Sequence, residues 1–428
     1  MRFAFTIAHR WVGLAIAAFL FVSGITGAVI SWDHELDEIL NPHLTTATAQ
    51  GDAKPSLQLA REFEARDLRA RVTYVTMVPD PGHALSLYVE GRIDLATAKP
   101  FELGYNEVFV DPVSGEELGR REWGQVWPIT RETFVSFLYK LHYSLHIPEM
   151  WGIDEWGLWL MGGVAILWTL DCFVGFYLTL PPKHRVNSTQ PEPIRRQLSK
   201  GWWSRWKPAW QIKTAGSAYR INFDIHRAFG LWTWGLLFMI AFTGFSLNLY
   251  REIFLPMMST ISQVTPTPFE QRTRAPKDKP IEPGVSFEAM TEIASAEARR
   301  RGWTEPLGAV RYRSDFGMYD VRFFKPGDDH GAAGVGPPIL YFDGRDGRNI
   351  GDWQPWTGTA ADIFVQAQFP LHSGRILGLP GRIIVSVIGL VVAALSVTGV
   401  VIWLRKRRAR VARRRSELPG GAAPFPAE

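Results

Sequence analysis

The chain has 428 residues, of which 46% are hydrophobic and 18 are Trp, and its formal net charge is +5. This composition excludes an intrinsically disordered chain and a collagen-like repeat. The single cysteine, Cys172, excludes an internal disulfide, a covalently attached haem and a thiolate-bound cluster, so any redox cofactor has to be held by histidine.

Four apolar runs of 22 to 24 residues dominate the sequence. Each is long enough for a helix that crosses a hydrocarbon layer of about 30 Å, which predicts an α-helical membrane protein with four transmembrane helices. The first run is too long for the apolar part of a cleaved signal peptide, so we expect a retained helix. About 330 residues remain for domains outside the membrane. The runs are Trp11–Trp32, Gly157–Leu180, Leu231 to near Glu252, and Gly381–Leu404.

Charge is distributed unevenly between these runs. Residues 1–10 carry two basic and no acidic side chains, residues 181–225 carry nine against two, and residues 405–428 carry eight against two. The two long segments carry 11 basic against 21 acidic side chains (33–156) and 15 against 16 (251–380). Because short basic loops stay in the cytoplasm, we expect cytoplasmic termini and two large domains on the opposite side of the membrane of a multi-pass protein.

Two basic segments are each predicted to lie at the membrane surface in contact with lipid. The tail that starts at Arg405 is typical of a helix flank that contacts anionic lipid headgroups, and we expect no nucleic-acid binding. Residues 202–210 contain four Trp among basic side chains, which suits an interfacial position in the bilayer. We assign neither segment a chemical role.

The first and third runs are copies of each other. His9–Gly27 aligns with His226–Gly244 without a gap and with eight identities in nineteen positions. The second and fourth runs match more loosely, with His142 before one and His372 before the other. Both copies run in the same sense, which predicts two parallel repeats of helix, outer domain and helix, related by an axis along the membrane normal.

The two long segments share a local pattern. Each begins with a helix-forming stretch, Leu57–Arg71 or Phe287–Arg301, and continues with short alternating runs that predict strands. Sequences rich in Asp and Gly, at Asp111–Gly115 and Asp343–Gly347, predict turns after the last strands. We therefore expect two small α+β modules. The predicted strands are Val72–Val78, Leu85–Val89, Glu107–Val110, Gly308–Tyr312, Tyr319–Phe324 and Ile339–Phe342.

Four histidines occupy equivalent places in the repeats. His9 and His226 start the first and third runs on the cytoplasmic side, and His142 and His372 precede the second and fourth on the outer side. A haem iron with two axial imidazoles needs two histidines on facing helices at one depth, and the repeat supplies one pair for each membrane face. A helix of about 23 residues rises about 35 Å, so one haem cannot serve both faces. For any single histidine, an interfacial residue or a helix cap is the alternative interpretation.

Neighbouring residues complete the predicted haem sites. Gly13 and Gly230 lie one helical turn after the inner histidines and leave room for a flat macrocycle. Arg10 and Arg227 are candidate donors to its propionates. His146 follows the first outer histidine by one turn and is a substitute or additional ligand.

Other polar groups carry weaker signals. Asp171 lies inside the second apolar run, where a proton path and a hydrogen-bonded packing role are both open. Asp328-Asp329-His330 resembles a metal-binding patch, although turn chemistry also accounts for it. No motif of a zinc protease, a serine hydrolase or a nucleotide-binding protein occurs in a suitable context. Among the other histidines, His34 and His43 are weaker ligand candidates, and His83, His184 and His330 suit solvated loops.

Several short motifs follow one another along nearly the whole chain. They are His9-Arg10-Trp11-x-Gly13 with Ser23-Gly24-x-Thr26-Gly27, Val110-Asp111-Pro112-x-x-Gly115, Leu141-His142-x-x-Leu145, Leu371-His372-Ser373-Gly374 and Thr398-Gly399-x-x-x-Trp403. In this order they resemble the PepSY-associated transmembrane proteins of the bacterial inner membrane. The chain departs from the pattern in the second run, where Val174-Gly175 stands in place of Thr-Gly and Asp171 intrudes.

The resemblance implies four spans, two PepSY-like periplasmic domains and, in members similar to ferrisiderophore reductases, two b-type haems bound by histidine. At the matching positions, His9 and His226 would bind the inner haem, and His142 and His372 the outer one. The predicted division is 1–32 for the first span, 33–135 for the first PepSY-like domain, 136–180 for a His-bearing segment and the second span, 181–225 for the cytoplasmic loop, 226–252 for the third span, 253–365 for the second PepSY-like domain, 366–404 for a His-bearing segment and the fourth span, and 405–428 for the cytoplasmic tail.

The resemblance favours a transmembrane electron conduit as the function. A cytoplasmic or quinol donor would supply electrons, and a ferric siderophore or another ferric chelate would accept them in the periplasm. The alternative is a haem-free scaffold whose PepSY-like domains bind a partner or restrain a periplasmic protease, and it predicts that the four histidines are dispensable. A permease would need polar, broken helices at mid-membrane, whereas we expect apolar and continuous spans.

Overall fold

The computed structural model describes residues 1–182 and 201–416 of the chain. The chain divides into two compact units, which we call the helical unit and the sheet unit. The described residues of Met1–Val29, Leu141–Tyr250 and Ile383–Glu428 form the helical unit, and Ile30–Lys140 and Arg251–Arg382 form the sheet unit.

Long apolar helices form the helical unit. In the described part of the chain, three helices are long and apolar enough to cross a membrane, and a bent pair makes a fourth candidate span. The prediction of a multi-pass membrane protein is confirmed. In chain order the helices are α1 (Arg2–Ile30), α2 (Asp33–Leu40), α3 (Pro42–Thr45), α4 (Ser56–Arg66), α5 (Arg131–Ser144), α6 (Trp156–Thr179), α7 (Trp202–Trp206), α8 (Ala218–Trp232), α9 (Trp234–Asn248), α10 (Leu255–Ile261), α11 (Phe287–Arg300), α12 (Ala360–Gln366), α13 (Gln368–Ser373) and α14 (Leu379–Ser416).

The third candidate span is bent, so the prediction of a continuous third helix was wrong. Helices α8 and α9 meet at an angle of 71° on either side of Thr233. The Thr233 hydroxyl and backbone N–H both donate to the carbonyl of Phe229, at 2.7 and 3.1 Å. A hydroxyl that shares a helical carbonyl favours a bend, but Thr169 and Thr398 make the same contact inside continuous helices, so this contact does not by itself produce the break. Apolar rings surround it, since Trp234 packs against Phe173 and Phe238.

Glycines allow the candidate spans to approach closely. A Cβ on Gly24 of α1 would lie 2.6 Å from the carbonyl oxygen of Gly389 on α14, and a Cβ on Gly162 of α6 would overlap Leu249, which follows α9. Small residues at such crossings are typical of helices in lipid, where packing rather than water exclusion drives association. The helical unit therefore depends on contacts that a larger side chain would separate.

The main sheet of the sheet unit is antiparallel, and its strands come from both long segments of the sequence. Among the described residues, eight strands form it in the order β10-β9-β8-β7-β1-β2-β5-β6, and β3 pairs with β4 apart from it. The α+β character of this part of the chain is confirmed. The strands are β1 (Ala70–Thr76), β2 (Leu85–Gly91), β3 (Ile93–Asp94), β4 (Lys99–Pro100), β5 (Glu107–Val110), β6 (Glu117–Arg121), β7 (Leu307–Arg313), β8 (Met318–Phe323), β9 (Ile339–Asp343) and β10 (Asn349–Trp353).

Strands from both long segments of the sequence join in this sheet. Strand β1 pairs with β7, with Val75 opposite Val310. Helix α4 packs its Leu59 and Phe63 on the β1 side, and α11 packs Met290 on the β7 side. Each edge would otherwise expose unpaired backbone groups, so the pairing removes two free edges and extends one hydrophobic layer across both modules.

A buried carboxylate organises the predicted turn after β5. Asp111 is 2% exposed and accepts hydrogen bonds from the backbone N–H groups of Thr48, Ala49, Val113 and Ser114, at 2.9 to 3.1 Å. Burial opposes ionisation of this carboxyl, but the four donors outweigh burial and hold its pKa at about 2. The predicted turn is thus confirmed, and it ties the strand end to the segment before α4.

Candidate functional site

A cavity of about 470 Å³ lies within the helical unit. Its volume is in the range of small-molecule and cofactor pockets, about 300–1,000 Å³. Side chains from α1, α6, α8, α9 and α14 line it, and most of the lining is apolar. Six residues that the sequence predicted for the inner haem site line this one cavity: His9, Arg10, Gly13, His226, Arg227 and Gly230.

The two inner histidines face each other in the cavity. The ring centres of His9 on α1 and His226 on α8 are 6.2 Å apart. A metal ion held about 2 Å from one nitrogen of each imidazole puts the two ring centres about 6 Å apart. At this separation, both imidazoles would be able to hold one metal ion between them.

A threonine determines which nitrogen of His226 is available. Thr398 Oγ1 donates to the carbonyl of Ala394 at 2.8 Å, so it can only accept a hydrogen bond from Nδ1 of His226, which lies 2.9 Å away. The proton of the neutral imidazole is then on Nδ1, and Nε2 keeps its lone pair. Such a partner on the remote nitrogen is typical of metal-binding histidines.

A carboxylate determines which nitrogen of His9 is available. Both oxygens of Asp171 on α6 lie within 3.0 Å of His9 Nδ1, and Asp171 is 11% exposed. A carboxylate only accepts hydrogen bonds, so Nδ1 again carries the proton and Nε2 is available. Asp171 lies one helical turn before Val174, the position at which the sequence departs from Thr-Gly. Where the Thr of the Thr-Gly pair is replaced by Val174, Asp171 is therefore the hydrogen-bond acceptor for His9, and its carboxylate is a stronger acceptor than a threonine hydroxyl.

Glycines shape both sides of the two rings. A Cβ on Gly175 would lie 3.5 Å from His9 Cε1, and one on Gly399 would lie 3.2 Å from His226 Cε1. These two glycines let each ring lie against a neighbouring helix. For Gly13 and Gly230, a Cβ would meet no described atom within 4 Å. A side chain at either position would extend into open space, and the role of these two glycines in leaving room for a macrocycle stays a prediction.

The two arginines of the cavity differ in their partners. Arg227 donates to Asp224 at 2.8 Å and to the carbonyl of Pro208 at 2.6 Å. The Nε atoms of Arg10 and Arg227 are buried and have no hydrogen-bond partner among the described residues. Buried donors without partners are costly, so both groups suit an anionic ligand in the cavity, with Arg227 already held in position by Asp224.

One outer histidine has the same kind of environment. Nδ1 of His142, on α5, donates to the carbonyl of Ser23 at 3.0 Å and lies 3.1 Å from Thr26 Oγ1. Thr26 Oγ1 itself donates to the carbonyl of Val22 at 2.8 Å, so it also accepts from the imidazole. A Cβ on Gly27 would lie 2.8 Å from His142 Cε1. His142 thus contacts Thr-Gly on α1 as His226 contacts Thr-Gly on α14.

The other outer candidates lie elsewhere in the chain. His372 is half-buried in α13 of the sheet unit, whereas His142 belongs to the helical unit. His146 follows α5 with a backbone φ of +53°, outside the helical conformation. The pairing of His142 with His372 and the substitute role of His146 both stay predictions.

The sequence analysis did not predict that Asp171, Thr398 and Thr26 accept hydrogen bonds from the candidate ligand histidines. The repeated Thr-Gly pairs were visible as markers of the internal repeat, and that recurrence was the signal that could have identified the two threonines. Nothing local to Asp171 indicated that its partner is His9, 162 residues away. Among the histidines without a predicted haem role, His43 pairs with Glu132 at 2.9 Å, and His184 lies outside the described residues.

A comparison with known protein families agrees with these features. Residues 6–406 match the family model of the PepSY-associated TM region. The chain belongs to the PepSY-associated transmembrane family. No curated protein matches the chain significantly. Family membership and the apolar helices together identify a multi-pass membrane protein.

Proposed function

We propose that this PepSY-associated protein is a di-haem b-type electron-transfer protein of the bacterial inner membrane. It takes electrons from a cytoplasmic or quinol donor and reduces a ferric siderophore or another ferric chelate in the periplasm. The observation that carries the proposal is the facing pair of His9 and His226 in a cavity of about 470 Å³.

The donor set supports a haem in the inner cavity. Both imidazoles keep Nε2 available, because Asp171 and Thr398 bind their Nδ1–H groups. A haem bound there supplies a one-electron carrier. Most of the cavity lining is apolar, and the open space beside Gly13 and Gly230 leaves room for a flat ring. The buried Nε atoms of the two arginines provide donors for its carboxylates.

A second haem follows from the environment of His142. Its imidazole is oriented by a Thr-Gly pair in the same way as that of His226, although it lies on a different helix. His372 is the second ligand that the internal repeat predicts, and His146 is the substitute. Two such sites at different depths provide the two carriers that transport across the membrane requires.

The direction of transport rests on charge and coordination chemistry. The basic flank of α14 begins at Arg405 and favours a cytoplasmic position for this end of the helix. The sheet unit is then periplasmic, where a ferric chelate arrives. Iron is released after reduction because Fe(II) binds hard oxygen chelators more weakly than Fe(III).

A permease has less support, even though the third candidate span is bent. Transporter helices break where they bind substrate through polar backbone groups. Trp234, next to the bend, instead packs against the rings of Phe173 and Phe238, and the Thr233 N–H donates to the carbonyl of Phe229 within α8.

Absorption spectra of the detergent-purified protein, oxidised and dithionite-reduced, together with a pyridine haemochrome assay, test the proposal. We expect two b-type haems per chain with low-spin bands, and reoxidation of the reduced protein by a ferric chelate. His9→Ala and His226→Ala should each lose the same haem, and His142→Ala should lose the other. His43→Ala is the matched control, because His43 pairs with Glu132 in the sheet unit.

Two results would contradict the proposal. A colourless protein that takes up no haem would favour the haem-free scaffold. Unchanged haem content in the His9 and His226 variants would show that other residues bind the cofactor.

A further inference from the structure

Two histidines that are distant in the sequence meet on the surface of the sheet unit. His34 lies in α2, and Asp329 and His330 lie in the loop between β8 and β9. The ring centres of His34 and His330 are 5.0 Å apart, and one ligand atom from each of the three residues lies within 4.8 Å of the others. No sequence pattern connects His34 with Asp329 and His330.

Each of these imidazoles has a carboxylate beside Nδ1. Asp33 lies 3.1 Å from Nδ1 of His34, and Asp329 lies 3.3 Å from Nδ1 of His330. At His34, the hydrogen bond to Asp33 favours the tautomer in which Nε2 is available to a metal ion, and it makes the imidazole a better ligand. Asp329 instead offers its own carboxylate oxygen as a ligand beside His330.

Charge in the cluster favours a cation. Two carboxylates, Asp33 and Asp329, stand against one guanidinium, Arg375, which lies 3.4 Å from Asp33. Burial lowers the pKa of His330 and Arg375 adds to this lowering, whereas Asp329 opposes it. The hydrogen bond that His34 donates to Asp33 raises the pKa of His34.

Access from solvent is open. The side chains of His34 and His330 are 58% and 44% exposed. Three protein ligands leave further coordination positions for water or for a second molecule. The cluster thus suits an exchangeable ion more than a permanently buried structural one.

We propose that His34, Asp329 and His330 form a binding site for a divalent transition-metal ion on the sheet unit. Two imidazoles and one carboxylate select ions such as Zn²⁺, Fe²⁺, Ni²⁺ or Cu²⁺ over Mg²⁺ and Ca²⁺, which prefer oxygen ligands. The site does not depend on the proposed haems. If the proposed reductase activity holds, Fe²⁺ released from the chelate belongs to the class of ions that the site accepts.

Isothermal titration calorimetry with Zn²⁺, combined with metal analysis, tests the site. The full chain is used in detergent with its haem complement and without a polyhistidine tag. We expect one Zn²⁺ per chain that His34→Ala and His330→Ala each remove, and that Asp329→Asn binds at least tenfold more weakly. The matched controls are His43→Ala and His83→Ala, which replace other histidines of the sheet unit and should keep the ion.

Competition distinguishes the metal class. Excess Mg²⁺ should leave Zn²⁺ binding unchanged, and Cu²⁺, which binds such ligands more tightly than Zn²⁺, should displace it. Haem content is measured in every variant, so loss of haem and loss of the surface ion are separate results. The proposal is overturned if the His34→Ala/His330→Ala double variant binds Zn²⁺ with the stoichiometry and affinity of the parent, or if Mg²⁺ competes equally.

Discussion

The glycines behind the histidines give a graded test of the candidate site. A Cβ at Gly27 would lie 2.8 Å from Cε1 of His142, one at Gly399 would lie 3.2 Å from that of His226, and one at Gly175 would lie 3.5 Å from that of His9. Ordinary contacts begin at 3.4 Å. The same substitution, Gly→Ala, therefore perturbs three imidazoles by different amounts in one protein.

The required displacements follow from these distances. His142 has to move by about 0.6 Å and His226 by about 0.2 Å to reach 3.4 Å, whereas His9 need not move. Metal–ligand distances tolerate about 0.2 Å, and functional geometry about 0.5 Å. His142 cannot shift without lengthening its hydrogen bonds to the Ser23 carbonyl and Thr26. We expect haem content to fall from two to about one per chain in Gly27→Ala.

The other two variants complete the series. Gly175→Ala should keep both haems with unchanged spectra and is the matched control. Gly399→Ala should keep both haems but alter the bands of the inner one. Ala in a helix interior is more favourable than Gly by about 0.5–1 kcal/mol, so weaker helices cannot account for a loss of haem.

The measurement is the pyridine haemochrome ratio of haem to protein for each purified variant, with reduced-minus-oxidised spectra. The reasoning is refuted if Gly27→Ala retains two haems with the parent's spectrum while His142→Ala loses one. Equal loss in all three glycine variants would also refute it, because the effect would then not follow the distances.

Three further predictions concern hydrogen bonds and the core. Asp171→Ala should keep the inner haem but raise its midpoint potential in a redox titration, by about twice the shift of Thr398→Ala, because each variant loses the whole hydrogen bond and a charge-assisted hydrogen bond is about twice as strong as a neutral one. Equal shifts would contradict this. Asp111→Asn should lower the free energy of unfolding by about 2 kcal/mol at pH 7, because the folded pKa of about 2 lies below the ordinary value of 3.8. This stabilisation is present above pH 3.8 and is lost as the pH falls toward 2. In thermal unfolding, the variant should therefore differ less from the parent in unfolding free energy at pH 3 than at pH 7. A difference that is the same at both pH values would exclude the carboxylate as its source. Leu87→Ala should cost about 2–5 kcal/mol in the same assay, because Leu87 is fully buried in the sheet core, and a loss below 1 kcal/mol would mean that the core collapses around the gap.

Local sequence patterns predicted much of the fold. The strand Glu107–Val110 has its predicted bounds, and the helix from Phe287 ends within one residue of the prediction. Period-two and helical patterns depend on neighbouring residues, so they are visible in one sequence. Strands β6 and β10 were missed because Glu117–Arg121 is mostly charged and Asn349–Trp353 contains Gly and Asp, and neither shows regular alternation.

By itself, the sequence identified six of the residues that line the cavity. His9 and His226, with their glycines and arginines, followed from a repeat of nineteen positions, because two copies of one segment place equivalent residues on equivalent helix faces. The apolar runs likewise determined that the chain enters a membrane, since their length alone matches the hydrocarbon thickness.

Only the tertiary structure decided how distant residues meet. It brought Asp171 to His9, Thr398 to His226 and His34 to His330, and it paired β1 with β7. The bend at Thr233 also emerged there, because Thr is common in continuous membrane helices and its sequence neighbours are apolar. These features depend on which helix packs beside which, and that choice is made by the sum of many weak contacts that no local pattern records.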